Sequence, residues 1–215
     1  MPHDWSGRPD MIHTNMRNVD SADRDYYATD PIAVFPLLDR FCFTPTIWEP
    51  AVGGGHIADA LTNRVYRVFA SDIVDRGYPD THIYDFLSQE PAPREVANCD
   101  IITNPPYKFA QQFVERAMER LADGRSLAML LKLTFLEGAE RFPMFQRYTP
   151  TDVLVFSRRV CCGKNGIFDR AKNAVAYAWF VWQKGYKSFY EPAINWIPPE
   201  EVKYYEQTQL SAPVN

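Results

Sequence analysis

The sequence predicts a single α/β domain built on a doubly wound, mostly parallel, seven-stranded sheet. Three observations predict it. Short β-prone runs alternate with helical stretches along most of the chain. The two most unusual segments, Glu49 to Gly55 and Asn104 to Tyr107, each follow such a run directly. The 215 residues, 46% of them apolar, suffice for one core of ordinary size and leave little room for two.

The elements follow in order. Residues 1–25 are polar, charged and poor in aliphatic side chains, which predicts a mobile arm. That stretch lacks the apolar region of a signal peptide. No segment approaches the roughly 18 uninterrupted apolar residues of a membrane span, so the expected location is the cytoplasm with no membrane partner. Ile32, Val34, Leu37, Leu38 and Phe41 recur at helical spacing, with Pro36 as a candidate kink. Thr46 to Trp48 predicts the first strand, followed by the glycine-rich turn and a helix from His56 to about Asn63. Further strands are expected at Tyr66 to Ser71, His82 to Tyr84 and Cys99 to Thr103.

The helix after Tyr107 has the clearest pattern. Phe109, Phe113, Ala117 and Leu121 form one i+4 row beside Ala110, Val114, Met118 and Ala122, and Gly124 stands where a C-terminal cap belongs. Leu127 to Leu131, Asp152 to Phe156 and Ala174 to Trp182 complete the seven strands. The prolines at 192, 198, 199 and 213 predict that residues 187–215 run over the surface as a tail, leaving 26–186 as the domain.

Composition excludes several chemistries. Cys42, Cys99, Cys161 and Cys162 form no CxxC pair and no zinc-ligand spacing with any histidine, so reduced thiols and no metal are expected. No Pro-Cys dipeptide occurs, which removes the cysteine-nucleophile route to cytosine carbon methylation. The net charge of −4 argues against a broadly basic coat for nucleic acid but leaves room for a local one.

In doubly wound sheets ligands bind at the carboxyl ends of the strands, where successive connections diverge. Both unusual segments belong to that edge. In Glu49-Pro50-Ala51-Val52-Gly53-Gly54-Gly55, the glycines at 53 and 55 permit close approach of a ligand to the backbone, and with Ala58 the pattern is G-x-G-x-x-A. Asp72, 17 residues after Gly55 at the end of the second strand, suits a pair of ribose hydroxyls. A plain structural turn or a nicotinamide site would meet these features equally well. The acid-proline pair ahead of the glycines separates the readings, because a carboxylate there repels a pyrophosphate and suits the ammonium of a methionine moiety. The cofactor so indicated is S-adenosylmethionine. Asp85-Phe86, after the third strand, could contact an adenine amino group and ring.

Asn104-Pro105-Pro106-Tyr107 carries the catalytic expectation. An exocyclic base amine is a poor nucleophile until acceptors hold both its N–H groups and favour a tetrahedral nitrogen. The Asn104 side-chain oxygen and the Pro105 carbonyl are such acceptors, with Pro106 stiffening the turn and Tyr107 offering a ring to an extruded base. The alternative is a rigid turn after a buried strand.

On these residues the sequence resembles the DNA amino-methyltransferases, particularly the short N6-adenine enzymes of phages and prophages, from about Tyr27 to Tyr186. The resemblance implies several assignments. The Asn-Pro-Pro-Tyr motif holds the amine, in its adenine form. Glu49 to Gly55 and Asp72 hold the cofactor, with Asp85 and Phe86 at its adenine. Tyr27-Ala28-Thr29-Asp30-Pro31 is similar to the segment touching the methionine end, although Asp30 stands where proline is frequent. Trp179 to Tyr186 is similar to the last strand of these enzymes, which implies a Rossmann-like class I methyltransferase fold with an antiparallel last strand. No room is left for a separate target-recognition domain.

The expected partner is DNA, in double-stranded form. Arg158, Arg159, Lys164, Arg170 and Lys172 stand against Asp169 alone between the last two strands, a basic stretch suited to phosphates. RNA, cytosine N4 or protein glutamine as acceptor, or a nucleic-acid-binding module without turnover, remain as alternatives.

Overall fold

A computed structural model describes residues 27–164, 168, 175–186 and 192–210. The arm expected at 1–25 lies outside them. The strands are β1 (Tyr27–Thr29), β2 (Thr46–Glu49), β3 (Arg67–Asp72), β4 (His82–Ile83), β5 (Asp100–Thr103), β6 (Ser126–Lys132), β7 (Asp152–Phe156), β8 (Cys162–Lys164), β9 (Tyr177–Gln183) and β10 (Ala193–Ile197). The helices are α1 (Phe35–Leu38), α2 (His56–Thr62), α3 (Ala110–Arg120), α4 (Phe142–Arg147) and α5 (Pro199–Leu210).

Eight strands form one sheet in the order β10-β7-β9-β6-β5-β2-β3-β4, while β1 and β8 pair separately. All neighbours in the large sheet are parallel except β9, which runs antiparallel to both β6 and β7. The seven expected strands are present, and the seventh is the antiparallel one.

Strand periodicity explains why both faces are covered. Ile47, Ile102, Ala128, Leu130, Trp179 and Val181 point to one side and pack with residues of α1, α2 and α5. Trp48, Ile101, Leu127, Met129, Phe180 and Trp182 point to the other side and pack with α3 and Met144 of α4. The large indoles are satisfied as well as buried: Trp179 donates to the Ala33 carbonyl at 2.7 Å and Trp48 to the Ser71 hydroxyl at 2.9 Å.

Four expectations change. The helical pattern from Ile32 divides into a 3-10 turn, Pro31–Ala33, and the single turn α1. Pro36 falls in the first turn of α1, where a missing N–H costs nothing, so it produces no kink. Helix α3 buries the two expected rows, but Tyr107–Phe109 forms a 3-10 turn ahead of it and Leu121 already leaves the helix in an extended conformation. Gly124, with φ of +79°, lies beyond that cap, in a turn where its N–H donates to the Lys184 carbonyl at 2.8 Å.

The fourth change is the expected surface tail. Residues 193–197 add β10 in parallel beside β7, and α5 returns over the sheet with Val202 buried. Prolines 198 and 199 close the strand and open the helix, a position where proline's fixed φ is helpful. Arg40 grips Glu201 through two hydrogen bonds of 2.6 and 2.7 Å, and Tyr205 donates to Asp39.

Candidate active site

The order of the sheet sets the site. From β2 the chain moves outward to β3 and β4, then crosses back to β5 on the other side of β2. The parallel pair β2 and β5 joins Ile47 to Asp100 and Trp48 to Ile101. Glu49 and Asn104 therefore emerge at the same edge, at the point where connections diverge. Asp100 fixes the opposite ends by accepting from the Thr44 and Ser126 N–H groups, both at 2.6 Å.

On the glycine side, Glu49 is buried and its Oε2 has no hydrogen-bond partner among the described residues. Burial raises its pKa well above the ordinary value, and the charges of Asp72 and Asp59 push it further. Gly53 adopts a φ of +57° and donates its N–H to Asp72 Oδ2 at 2.9 Å, while Asp72 Oδ1 accepts from Val74 N–H at 3.0 Å. The expected ribose acid thus also braces the loop. Pro50 and Ala51 lie in the turn between Glu49 and Gly53.

Two residues on this side differ from expectation in their surroundings. A Cβ on Gly55 would lie 1.9 Å from the Tyr78 ring, so the close approach that glycine permits there is made by this chain's own tyrosine. Phe86 is 2% exposed, edge-on to Trp48 with centroids 5.0 Å apart and stacked on Phe113 at 4.9 Å. Its ring is core rather than an open face for adenine. The neighbouring Asp85 is buried, and its carboxylate accepts from Leu87 N–H at 2.9 Å.

On the tetrapeptide side, the Asn104 Nδ2 donates to the Tyr27 carbonyl at 2.9 Å and the Thr29 hydroxyl at 3.0 Å, with Cys162 Sγ at 3.9 Å. Its Oδ1 is buried without a hydrogen-bond partner among the described residues. Pro105 is buried, Pro106 is exposed, and the turn that follows is closed by Phe109 N–H donating to the Pro106 carbonyl at 2.8 Å and Ala110 N–H donating to the Tyr107 carbonyl. The Pro105 carbonyl accepts no hydrogen bond from the described residues.

Tyr107 is half-buried, with ring centroids of Tyr27 and Tyr177 each 6.0 Å away and Lys132 Nζ 4.9 Å from its own. Its hydroxyl points inward toward Tyr177 and Cys162 without a well-formed hydrogen bond. Burial raises the pKa of all three groups, that of Cys162 to about 12, so this thiol is inert as a nucleophile at neutral pH.

Comparison with known proteins locates the fold. No protein-family model and no curated protein matches the sequence. Solved structures do. A Listeria monocytogenes protein described as a class I S-adenosylmethionine-dependent methyltransferase aligns with a TM-score of 0.54 at 12% identity, over 83% of this chain and 67% of that one. The M protein of the type I restriction enzyme EcoKI aligns at 0.52 and 14% identity, over 88% of this chain and 55% of that one. A Lactococcus lactis protein described as a hemolysin aligns at 0.52 and 13% identity, over 84% and 99%. The fold is the Rossmann-like fold of class I methyltransferases.

Within this methyltransferase fold, the structure brings Tyr27, Thr29, Asn104, Pro105 and Tyr107 together, and Glu49, Gly53 and Asp72 beside them on neighbouring strand ends. The basic stretch is not assembled in the same way. Arg158 is ion-paired with Glu206 of α5 at 3.0 Å, Arg159 is exposed, and Lys164 contributes backbone to β8 opposite Tyr27. Arg170 and Lys172 lie outside the described residues. Among the described residues no cluster of histidine, cysteine and acids could hold a metal, and no helix is long and apolar enough to cross a membrane.

Lys132 and Tyr177 escaped the sequence reading. They are register partners at the end of β6 and the start of β9. The carboxyl-end rule, extended to the residue after Leu131 and to the amino end of an antiparallel strand, would have found both.

Proposed function

We propose that the protein transfers a methyl group from S-adenosylmethionine to the exocyclic N6 amine of adenine in DNA. The observation that carries this reading is a pair of unengaged oxygens, Asn104 Oδ1 and the Pro105 carbonyl, at the same sheet edge as the unpartnered carboxyl oxygen of Glu49. An unsatisfied buried acceptor costs about 1–3 kcal/mol, so each orphan marks a place where a donor belongs.

The residues present fit the cofactor. Glu49 matches the ammonium of its methionine end. Asp72 accepts backbone N–H groups on both oxygens, with Arg76 Nε 4.0 Å from Oδ2, and as a carboxylate at the strand end it is the group suited to a ribose hydroxyl. The positive φ of Gly53 allows the loop to run close beneath. When bound, this cofactor supplies an electrophilic methyl group on a sulfonium.

The chain's own contribution is to prepare the amine. Asn104 Oδ1 and the Pro105 carbonyl accept its two N–H groups and turn the nitrogen lone pair out of the ring plane. With its lone pair exposed in this way, the nitrogen could accept the methyl group that the cofactor would supply, giving up one N–H proton to water as the sulfonium became a neutral thioether. Reaching the site requires extruding the base, at a few kcal/mol, which stacking against Tyr107 or Tyr27 offsets by about 1–3 kcal/mol. The fold shared with the EcoKI restriction M protein is consistent with a DNA substrate.

The test is incubation with methyl-labelled cofactor and unmethylated double-stranded DNA, followed by digestion to nucleosides. Labelled N6-methyldeoxyadenosine is expected. Label on cytosine, on RNA only or on protein would replace the acceptor, and no transfer to any of them would defeat the enzymatic reading.

A further inference from the structure

Resting on the reading above, we infer that β1 belongs to the catalytic machinery as a positioning element, with Thr29 and the Tyr27 carbonyl holding the Asn104 amide in the orientation that presents Oδ1 to the target amine. The assignment departs from the cofactor contact expected of Tyr27 and Thr29.

The argument starts from what each neighbour can do. A backbone carbonyl accepts and cannot donate. With the Tyr27 oxygen 2.9 Å from Asn104 Nδ2, a 180° flip of the amide would set two lone-pair-bearing oxygens against each other at that distance. The Thr29 hydroxyl, 3.0 Å away, takes the second N–H. Both hydrogens of the amide are then used, and Oδ1 is the one polar atom left.

The holders come from outside the main sheet. Tyr27 and Thr29 lie on β1, and the third neighbour, Cys162, lies on β8 directly opposite Thr29 in the small antiparallel pair. Thr29 is 2% exposed, so water does not compete for this contact. Strand β5 delivers Asn104 to the edge, and β1 decides which way its amide faces.

A consequence separates positioning from simple packing. Asparagine carries an N–H for the Tyr27 carbonyl, whereas an ionised aspartate would present an oxygen to it. The Asn104→Asp variant therefore works only when that oxygen is protonated, so its activity rises as pH falls. The parent has no such requirement at this position.

Two measurements test the inference. The first needs no turnover: in protein labelled with 15N-asparagine, the Asn104 side-chain amide protons, identified by their loss in Asn104→Ala, exchange slowly with solvent. Thr29→Val keeps the shape and removes the acceptor, and should speed that exchange about tenfold or more, with Thr29→Ser restoring slow exchange. The second is the pH profile of methyl transfer by Asn104→Asp, expected to gain at least about tenfold between pH 8 and pH 6 relative to the parent. Parent-like amide exchange in Thr29→Val, or an Asn104→Asp profile parallel to the parent's, overturns the role of β1. A parent that methylates no nucleic acid would defeat the proposed function, while the exchange experiment would still decide this inference.

Discussion

The carboxyl of Glu49 and the carboxylate of Asp72 share one corner of the sheet edge, and the charge on Asp72 adds to burial in raising the pKa of Glu49. The two acids divide their work. Asp72 is bound to backbone N–H groups on both oxygens, and Glu49 keeps one oxygen unpartnered.

That relationship has a pH signature. A carboxyl whose folded pKa lies above the unfolded one binds its proton more tightly in the folded state. Its stabilising contribution is complete below the ordinary value of 4.5 and is lost as pH rises through the folded pKa. Glu49→Gln removes this dependence. The melting temperature of the parent should fall relative to that variant from pH 4.5 upward, and parallel curves would refute the burial effect.

Cofactor binding inverts the preference, because a cation beside Glu49 favours the ionised form. Binding at a pH below the raised pKa of Glu49 should release a proton from the parent, detected by calorimetry as a difference between buffers of unlike ionisation enthalpy. Glu49→Gln should show no such difference and bind at least about tenfold more weakly. Equal heats in both buffers for the parent would place the ammonium elsewhere.

The role proposed for Asn104 is separable from cofactor affinity. Asn104→Ala removes an acceptor needed only as the amine becomes pyramidal, so kcat should fall by about 100-fold or more with cofactor Kd within about twofold. Unchanged kcat would remove Asn104 from the chemistry.

How much of this was legible follows from the range of the interactions. The strands were readable because apolar residues on both faces make near-continuous runs such as Leu127 to Leu131. Asn104 and Glu49 were readable because local strand-to-loop sequences place them at one edge. The Thr29 contact spans 75 residues to Asn104, and no local pattern encodes it. Phe86 was legible as an aromatic after a strand, but only packing against Trp48 and Phe113 determines that its faces are taken. The tail is not legible because the prolines at 192, 198, 199 and 213 predict an irregular surface run, whereas 198 and 199 mark the junction between a strand and a helix.

That junction is part of the core. Ile197 and Val202 are fully buried against the sheet. Ile197→Ala should cost about 2–5 kcal/mol in denaturant unfolding, as for other large-to-small core changes. A loss under about 0.5 kcal/mol would return the segment to the status of a surface tail.

DNA contact is the last expectation to test, and the ion pairs reorder its candidates. Arg158 is held by Glu206, so Arg158→Ala should alter stability by no more than about 1 kcal/mol and leave the salt dependence of DNA binding nearly intact. Arg159 is exposed, and Lys132 stands over the Tyr107 ring at the mouth of the tetrapeptide. If each meets a phosphate, removing either should lower the slope of log K against log salt by about 0.9. A slope unchanged in both single variants and in the double variant would move the DNA to another face of the protein.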